Sequence, residues 1–212
     1  FLLSCNSGEI IAVFVGIMLG FGSPLKPIHI LWVNLVTDTL PALALCMDPG
    51  DPAVIRERPR DPKASLFANG GYSFIIRYGL LKGIITLAAF LIGIAWYGST
   101  GTGLVKAETM AFAVLAICQL FHAFNLRHNR KSLLQVGLFT NWYMIGAFAV
   151  CMFLQLSVML MPGLSDYFKV APLNWADWLL VFGLSVSPLF VYEFEKAILR
   201  GRDRLKAVRV SP

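Results

Sequence analysis

Six long apolar blocks, separated by short polar stretches, run the length of the chain. The apolar residues fill whole blocks rather than one-sided stripes, and blocks of about 20 match the hydrocarbon core of a bilayer. The pattern predicts helices at roughly 1–21, 27–47, 73–97, 108–126, 142–161 and 175–198. Turn residues mark the breaks: Gly20-Phe-Gly-Ser-Pro24, Pro49-Gly50 with Pro52, Pro59 and Pro62, and Met161-Pro162-Gly163. The run Gly98-Ser-Thr-Gly-Thr-Gly103 lacks the lysine of a phosphate-binding loop and reads as a flexible connector. Asn174 with Asp177 three residues on is spaced as a helix N-cap. The expected fold is all-α: a polytopic membrane protein, a bundle of six transmembrane helices forming one domain over 1–212. It has a loop at 48–72 and a basic tail at 199–212.

Composition supports a bilayer setting. The 212 residues are 57% hydrophobic and 14% charged, where a soluble domain carries about 25% charge. Cys5, Cys46, Cys118 and Cys151 lie in or beside apolar blocks without a CxxC pair, so they read as small buried hydrophobes. No basic segment precedes the first block, which therefore does not read as a signal peptide. Phe1 reads as a truncation point inside a longer chain.

The net charge of +6 takes its meaning from where the charges sit. Fifteen of the eighteen basic residues fall in the 48–72 loop, at Arg77 and Lys82, in the 127–141 loop and in the tail. Only Lys26, Lys106 and Lys169 fall on the other side. By the positive-inside rule both ends of the segment are expected in the cytoplasm. Contact with anionic headgroups accounts for this basic balance, so nucleic acid is not an expected partner. Trp96, Tyr97, Trp142, Tyr143, Trp175 and Trp178 mark the membrane interfaces.

The first two blocks contain polar residues that a membrane span does not need. A carboxylate at mid-bilayer costs about 2.5–3.5 kcal/mol on insertion scales, yet Glu9 and Asp38 each lie inside a block. Asn6 and Glu9 are spaced i, i+3, and Asn34, Thr37 and Asp38 are spaced i, i+3, i+4. Two antiparallel helices could turn both groups into one pocket of carboxylate, amide and hydroxyl oxygens. Such hard donors suit calcium, magnesium or manganese rather than zinc or copper. Pro27 and Pro41 would free backbone carbonyls as further ligands. The plainer alternative is an interhelical hydrogen-bond cluster that only holds the bundle together.

Asn6-Ser-Gly-Glu9 followed by Leu31-Trp-Val-Asn-Leu-Val-Thr-Asp-Thr-Leu-Pro-Ala-Leu-Ala-Leu45 resembles the fifth and sixth transmembrane helices of P-type calcium ATPases. Asp48-Pro-Gly-Asp-Pro52 and Arg58-Pro-Arg-Asp-Pro-Lys63 resemble the loop that follows them. The resemblance implies that Asn6, Glu9, Asn34, Thr37 and Asp38 are calcium ligands. It places Gln119 where the two-ion pumps have a glutamate and plasma-membrane-type pumps have glutamine, which implies the one-ion class. It further implies the cation-binding and translocation half of an ATP-driven pump, with Ca2+ as the transported ion. Its partners would be the lipid bilayer, the transported cation and the N-terminal half of the same pump. Mg-ATP and the phosphorylated aspartate belong to that other half, so this segment alone is expected to have no catalytic residues and no activity. A bacterial plasma membrane is a fitting location. The alternative is a free-standing six-helix module, either a secondary cation transporter or a structural membrane protein.

Overall fold

The computed structural model describes residues 1–49, 63, 67, 71–128 and 131–210, with only the backbone given for 202–210. Most of the 48–72 loop, and Arg130, lie outside the described residues. Every regular element among those described is helical. Six long helices follow in order: α1 (Leu2–Met18), α2 (Pro27–Cys46), α3 (Gly71–Tyr97), α4 (Gly101–Asn125), α5 (Trp142–Leu160) and α6 (Trp175–Val210). Five of these, α2 to α6, are long and apolar enough to cross a membrane; α1 is a 17-residue apolar helix at the short end of that range.

Helix α4 is the hub. Every residue from 107 to 120 is buried, as expected for a helix that is apolar all round and enclosed by others. Its neighbours are α3, α6, α5 and the middle of α2, while α1 packs against α3. Small residues set these distances, because helices in lipid associate by close packing. A Cβ on Gly79 would stand 2.6 Å from the Ser7 Cβ, and one on Gly83 would stand 2.7 Å from Ile11 Cγ2. At the α3–α4 crossing, a Cβ on Gly93 would meet the Ala107 Cα at 2.6 Å. Large apolar side chains on α1, α2, α5 and α6, such as Phe14, Leu35, Phe153 and Phe190, point outward. That is the face a bilayer solvates.

Three local expectations are revised. Helix α4 begins at Gly101 rather than near 108, so the glycine run is a tight corner and not a flexible connector. Gly98 and Gly101 take positive φ angles of 91° and 57° to turn the chain, and a Cβ on Gly103 would overlap the Tyr97 carbonyl. Helix α6 continues to Val210, through most of the segment read as a tail. Pro27 is the first residue of α2, where its missing N–H frees no carbonyl inside the helix. The short helices Leu133–Val136 and Leu164–Phe168, in the connections after α4 and α5, carry too few residues to show a period. At α6 the backbone N–H of Asn174 donates to Asp177 at 2.7 Å, one arm of the anticipated cap.

Candidate functional site

Within α2 the backbone widens into a π-helical segment, Val33–Asp38, three residues before Pro41. Pro41 has no N–H to return to the carbonyl four residues back, so the regular ladder cannot pass through it. Wide turns of this kind recur at functional sites. Three carbonyls of the segment, those of Val33, Asn34 and Val36, have a side-chain donor within hydrogen-bond distance. Thr39 Oγ1 donates to the Asn34 carbonyl at 3.0 Å, and the Cys151 thiol to the Val36 carbonyl at 3.4 Å.

The polar side chains of this segment meet those of α1 and α4. Asn34 Nδ2 donates to Glu9 Oε2 at 3.1 Å and to the Ile30 carbonyl at 3.0 Å. Gln119 Nε2 donates to the other oxygen, Glu9 Oε1, at 3.1 Å. Thr37 Oγ1 lies 3.0 Å from the Val33 carbonyl and 3.3 Å from Gln119 Oε1, an acceptor in each case. One carboxylate is thus held by two amides from two helices, and Gln119 ties all three helices together. Glu9, Thr37 and Gln119 are buried and Asn34 is half-buried.

Asp38 closes the segment and differs from the rest. It is 1% exposed, and neither carboxylate oxygen has a hydrogen-bond partner. The Cys5 thiol lies close to it but outside hydrogen-bonding geometry. Buried carboxylates are paired or bonded as a rule, and an exception calls for an ion, a water or a functional role. The oxygens of Glu9, Asn34, Thr37, Asp38 and Gln119 are all hard donors of the type that calcium gathers, six to eight at a time. Among the described residues no group of three or more His, Cys, Asp and Glu comes together. A cation held here therefore draws on amide, hydroxyl and carbonyl oxygens beside the two carboxylates.

Four of the six residues singled out in the sequence, Glu9, Asn34, Thr37 and Gln119, are joined in this way, and Asp38 follows Thr37 in the same segment without a bond to them. Asn6 does not join them: it is exposed on the flank of α1, while Glu9 points into the bundle. Residues three apart are separated by about 60° around a helix, enough to put one inside and the other on the rim. One residue was misplaced by its neighbourhood. Lys82 counts with the cytoplasmic anchors by sequence, but it is fully buried in α3 and reaches α1. Its flanking glycines, Gly79 and Gly83, were the available signal: small residues one turn apart mark a helix face in close contact.

Other charged groups take structural partners. Asp48 receives Arg127 Nε at 2.8 Å and Nη2 at 3.0 Å. The same guanidinium reaches the Gly137 carbonyl at 2.8 Å and Thr140 Oγ1 at 2.6 Å. Glu195 accepts from Arg77 and Tyr78, and Glu193 pairs with Lys196 at 3.3 Å. At the opposite end, Lys26 pairs with Glu108 at 2.6 Å, and buried His29 bonds the Phe168 carbonyl at 2.9 Å. Cys5, Cys118 and Cys151 are buried as expected, while Cys46 is exposed at the end of α2.

Comparison with known proteins adds an independent line. The family described as cation transporting ATPase, C-terminus, matches residues 22–198. The chain is 46% identical over 208 residues to calcium-transporting ATPase 1 of Bacillus cereus, covering 92% of this chain and 23% of that protein. It is 39% identical over 191 residues to a calcium-transporting ATPase of Bacillus subtilis, covering 90% of this chain and 21% of that protein. It is 28% identical over 242 residues to an endoplasmic reticulum-type calcium-transporting ATPase of Arabidopsis thaliana, covering 100% of this chain and 24% of that protein. The chain spans under a quarter of the length of these relatives.

Proposed function

The chain belongs to the family of cation-transporting ATPase C-terminal regions, and on that premise we propose that it is the cation-binding and translocation half of an ATP-driven calcium pump. The observation that carries this reading is Asp38, a carboxylate held in the bundle with no partner on either oxygen. An unpaired buried charge costs several kcal/mol after relaxation. A divalent cation bound between Asp38 and Glu9 repays that cost, and no neighbouring side chain is paired with Asp38.

In this reading Asn34 and Gln119 hold the Glu9 carboxylate in place through its two oxygens. Thr37, Asn34 and the widened turn of α2 offer neutral oxygens at the same level. Asn6 completes the ligand set from the rim, on the exposed face of α1, where helices of the N-terminal half pack. Gln119 contributes an oxygen but no charge, so the site takes one calcium ion per cycle. Nucleotide binding, Mg-ATP and the phosphorylated aspartate belong to the N-terminal half, and this segment alone neither hydrolyses ATP nor pumps. Both of its ends face the cytoplasm, by the distribution of lysine and arginine. The membrane is the plasma membrane of a bacterium, in keeping with the Bacillus relatives.

The test is phosphoenzyme formation by the full-length protein from labelled ATP. Micromolar calcium should switch it on and chelation should abolish it. Phosphorylation that ignores calcium but follows another cation would reassign the pump.

A further inference from the structure

One of the largest fully buried side chains is a lysine. Lys82 is 0% exposed, in the middle of the bundle. Its stem lies on α1 where a Cβ added to Gly8 would stand 3.0 Å from the Lys82 Cβ, one residue from Glu9. From there Nζ reaches the Cys5 Sγ at 3.1 Å and the Ser4 Oγ at 3.4 Å. No carboxylate among the described residues lies within ion-pair distance of it. The bundle therefore holds a buried ammonium with only weak neutral partners, and a buried carboxylate, Asp38, with none. Cys5 stands between them: it accepts from Lys82 on one side and lies beside Asp38 on the other.

An ammonium this deep is expensive, and hydrogen bonds to a thiol and a hydroxyl do not offset it. Packing does not explain it either, since an apolar chain of the same length would fill the space at lower cost. What a lysine adds here is a fixed positive charge within electrostatic reach of two carboxylates, Glu9 and Asp38, without pairing with either. We infer that Lys82 is a tethered cation of the calcium site, a specificity-determining residue that stands in for the charge of a second metal ion. The inference rests on the proposed calcium site and deepens it.

The charge count gives the consequence. Glu9 and Asp38 supply two negative charges, and the Lys82 ammonium offsets one of them. One calcium ion then brings these groups to a net charge of +1. A second calcium ion would raise that to +3 in a low-dielectric pocket, a stronger bar than the neutral Gln119 imposes alone. In the ion-free site the same ammonium offsets part of the carboxylate repulsion without entering the ligand shell. Ser4 anchors this arrangement from behind, through the hydrogen bond between its hydroxyl and buried His122 at 3.0 Å.

The experiment is equilibrium calcium binding to the purified full-length pump, with Lys82→Met, Lys82→Gln, Lys82→Arg and Asp38→Asn side by side. Removing one positive charge strengthens attraction for the ion, so the half-saturating calcium concentration should fall about tenfold in both neutral variants. Lys82→Arg keeps the charge and should stay within about twofold of the unmutated pump. A residue that merely braces the bundle would weaken binding when lost, not tighten it. Unchanged or weaker binding in both neutral variants, with Asp38→Asn still inactive, overturns the role of Lys82 and leaves the calcium site standing. Failure of both neutral variants to insert assigns Lys82 to structure and overturns it equally. Wild-type binding in Asp38→Asn rejects the site itself.

Discussion

Two aspartates ten residues apart, Asp38 inside α2 and Asp48 just beyond its end, live in opposite circumstances. Asp48 is gripped by both the stem nitrogen Nε and a terminal nitrogen of Arg127, whose side chain is 1% exposed and also ties down the connection after α4. Asp38 lies deeper, 1% exposed where Asp48 is only half-buried, and accepts nothing. A sequence shows two acidic residues in a similar setting; the fold shows that one is already paired and the other is left open. A pairing partner converts a carboxylate into a strut. An unpartnered one, surrounded by hard oxygens, keeps its charge available for something that comes and goes.

The widest separation between the two is expected from Asp38→Asn in the full-length pump. Calcium affinity should fall about a hundredfold or more, since charge count is the main lever on calcium affinity, and calcium-dependent phosphorylation should disappear. The protein should insert normally and, in chelator, melt at a higher temperature than the unmutated pump, because an uncompensated buried charge has been removed. A lower melting point would make Asp38 a structural residue.

Asp48→Asn should do the reverse. It leaves the buried Arg127 guanidinium short of its counter-charge, at about 1–3 kcal/mol of stability, while half-saturating calcium stays within about threefold. Thermal unfolding and a calcium titration on the same preparation separate the two effects. If Asp48→Asn damages calcium binding as much as Asp38→Asn, the distinction between strut and site collapses.

A smaller effect is expected where the site is held together from outside. Gly79→Leu forces a side chain into the space of Ser7 and prises α1 from α3. Overpacking of this kind costs about 1–3 kcal/mol. It should weaken calcium binding through Glu9 while leaving the Arg127–Asp48 clamp intact. Hydrogen exchange should show increased opening in α1 and α3 and not at the α2 terminus.

The mildest change is Gln119→Glu. It replaces the amide that now donates to Glu9 with a like charge, and charge balance still bars a full second ion while Lys82 is present. Calcium transported per ATP in reconstituted vesicles should remain at one, with weak additional binding at most. Two ions per ATP in the unmutated pump would contradict the charge count.

The parts legible in advance are those written in length and spacing. Six apolar blocks announce six helices, and the spacing of Asn34, Thr37 and Asp38 announces a polar face. Hydropathy could not single out α4 as the hub, because lipid and protein interior reward the same residues. It could not separate Asn6 from Glu9 either, since neighbours on one helix face can fall inside and outside the packed edge. Lys82 was misread through the company of Arg77. A charge five residues from an anchor looks like an anchor unless the glycines beside it are read as a contact surface. The glycine corner at 98–103 misled for a related reason: glycine serves flexible connectors and tight turns alike, and only packing against Tyr97 tells them apart.

The account stands on Asp38 as the open carboxylate of a calcium site, and the most direct measurement is radioactive-calcium binding to the purified full-length pump at equilibrium, without nucleotide. One saturable ion per pump should be found in the unmutated protein and in Asp48→Asn, and none in Asp38→Asn at the same calcium concentration. Retention of that ion by Asp38→Asn with unchanged affinity would contradict it.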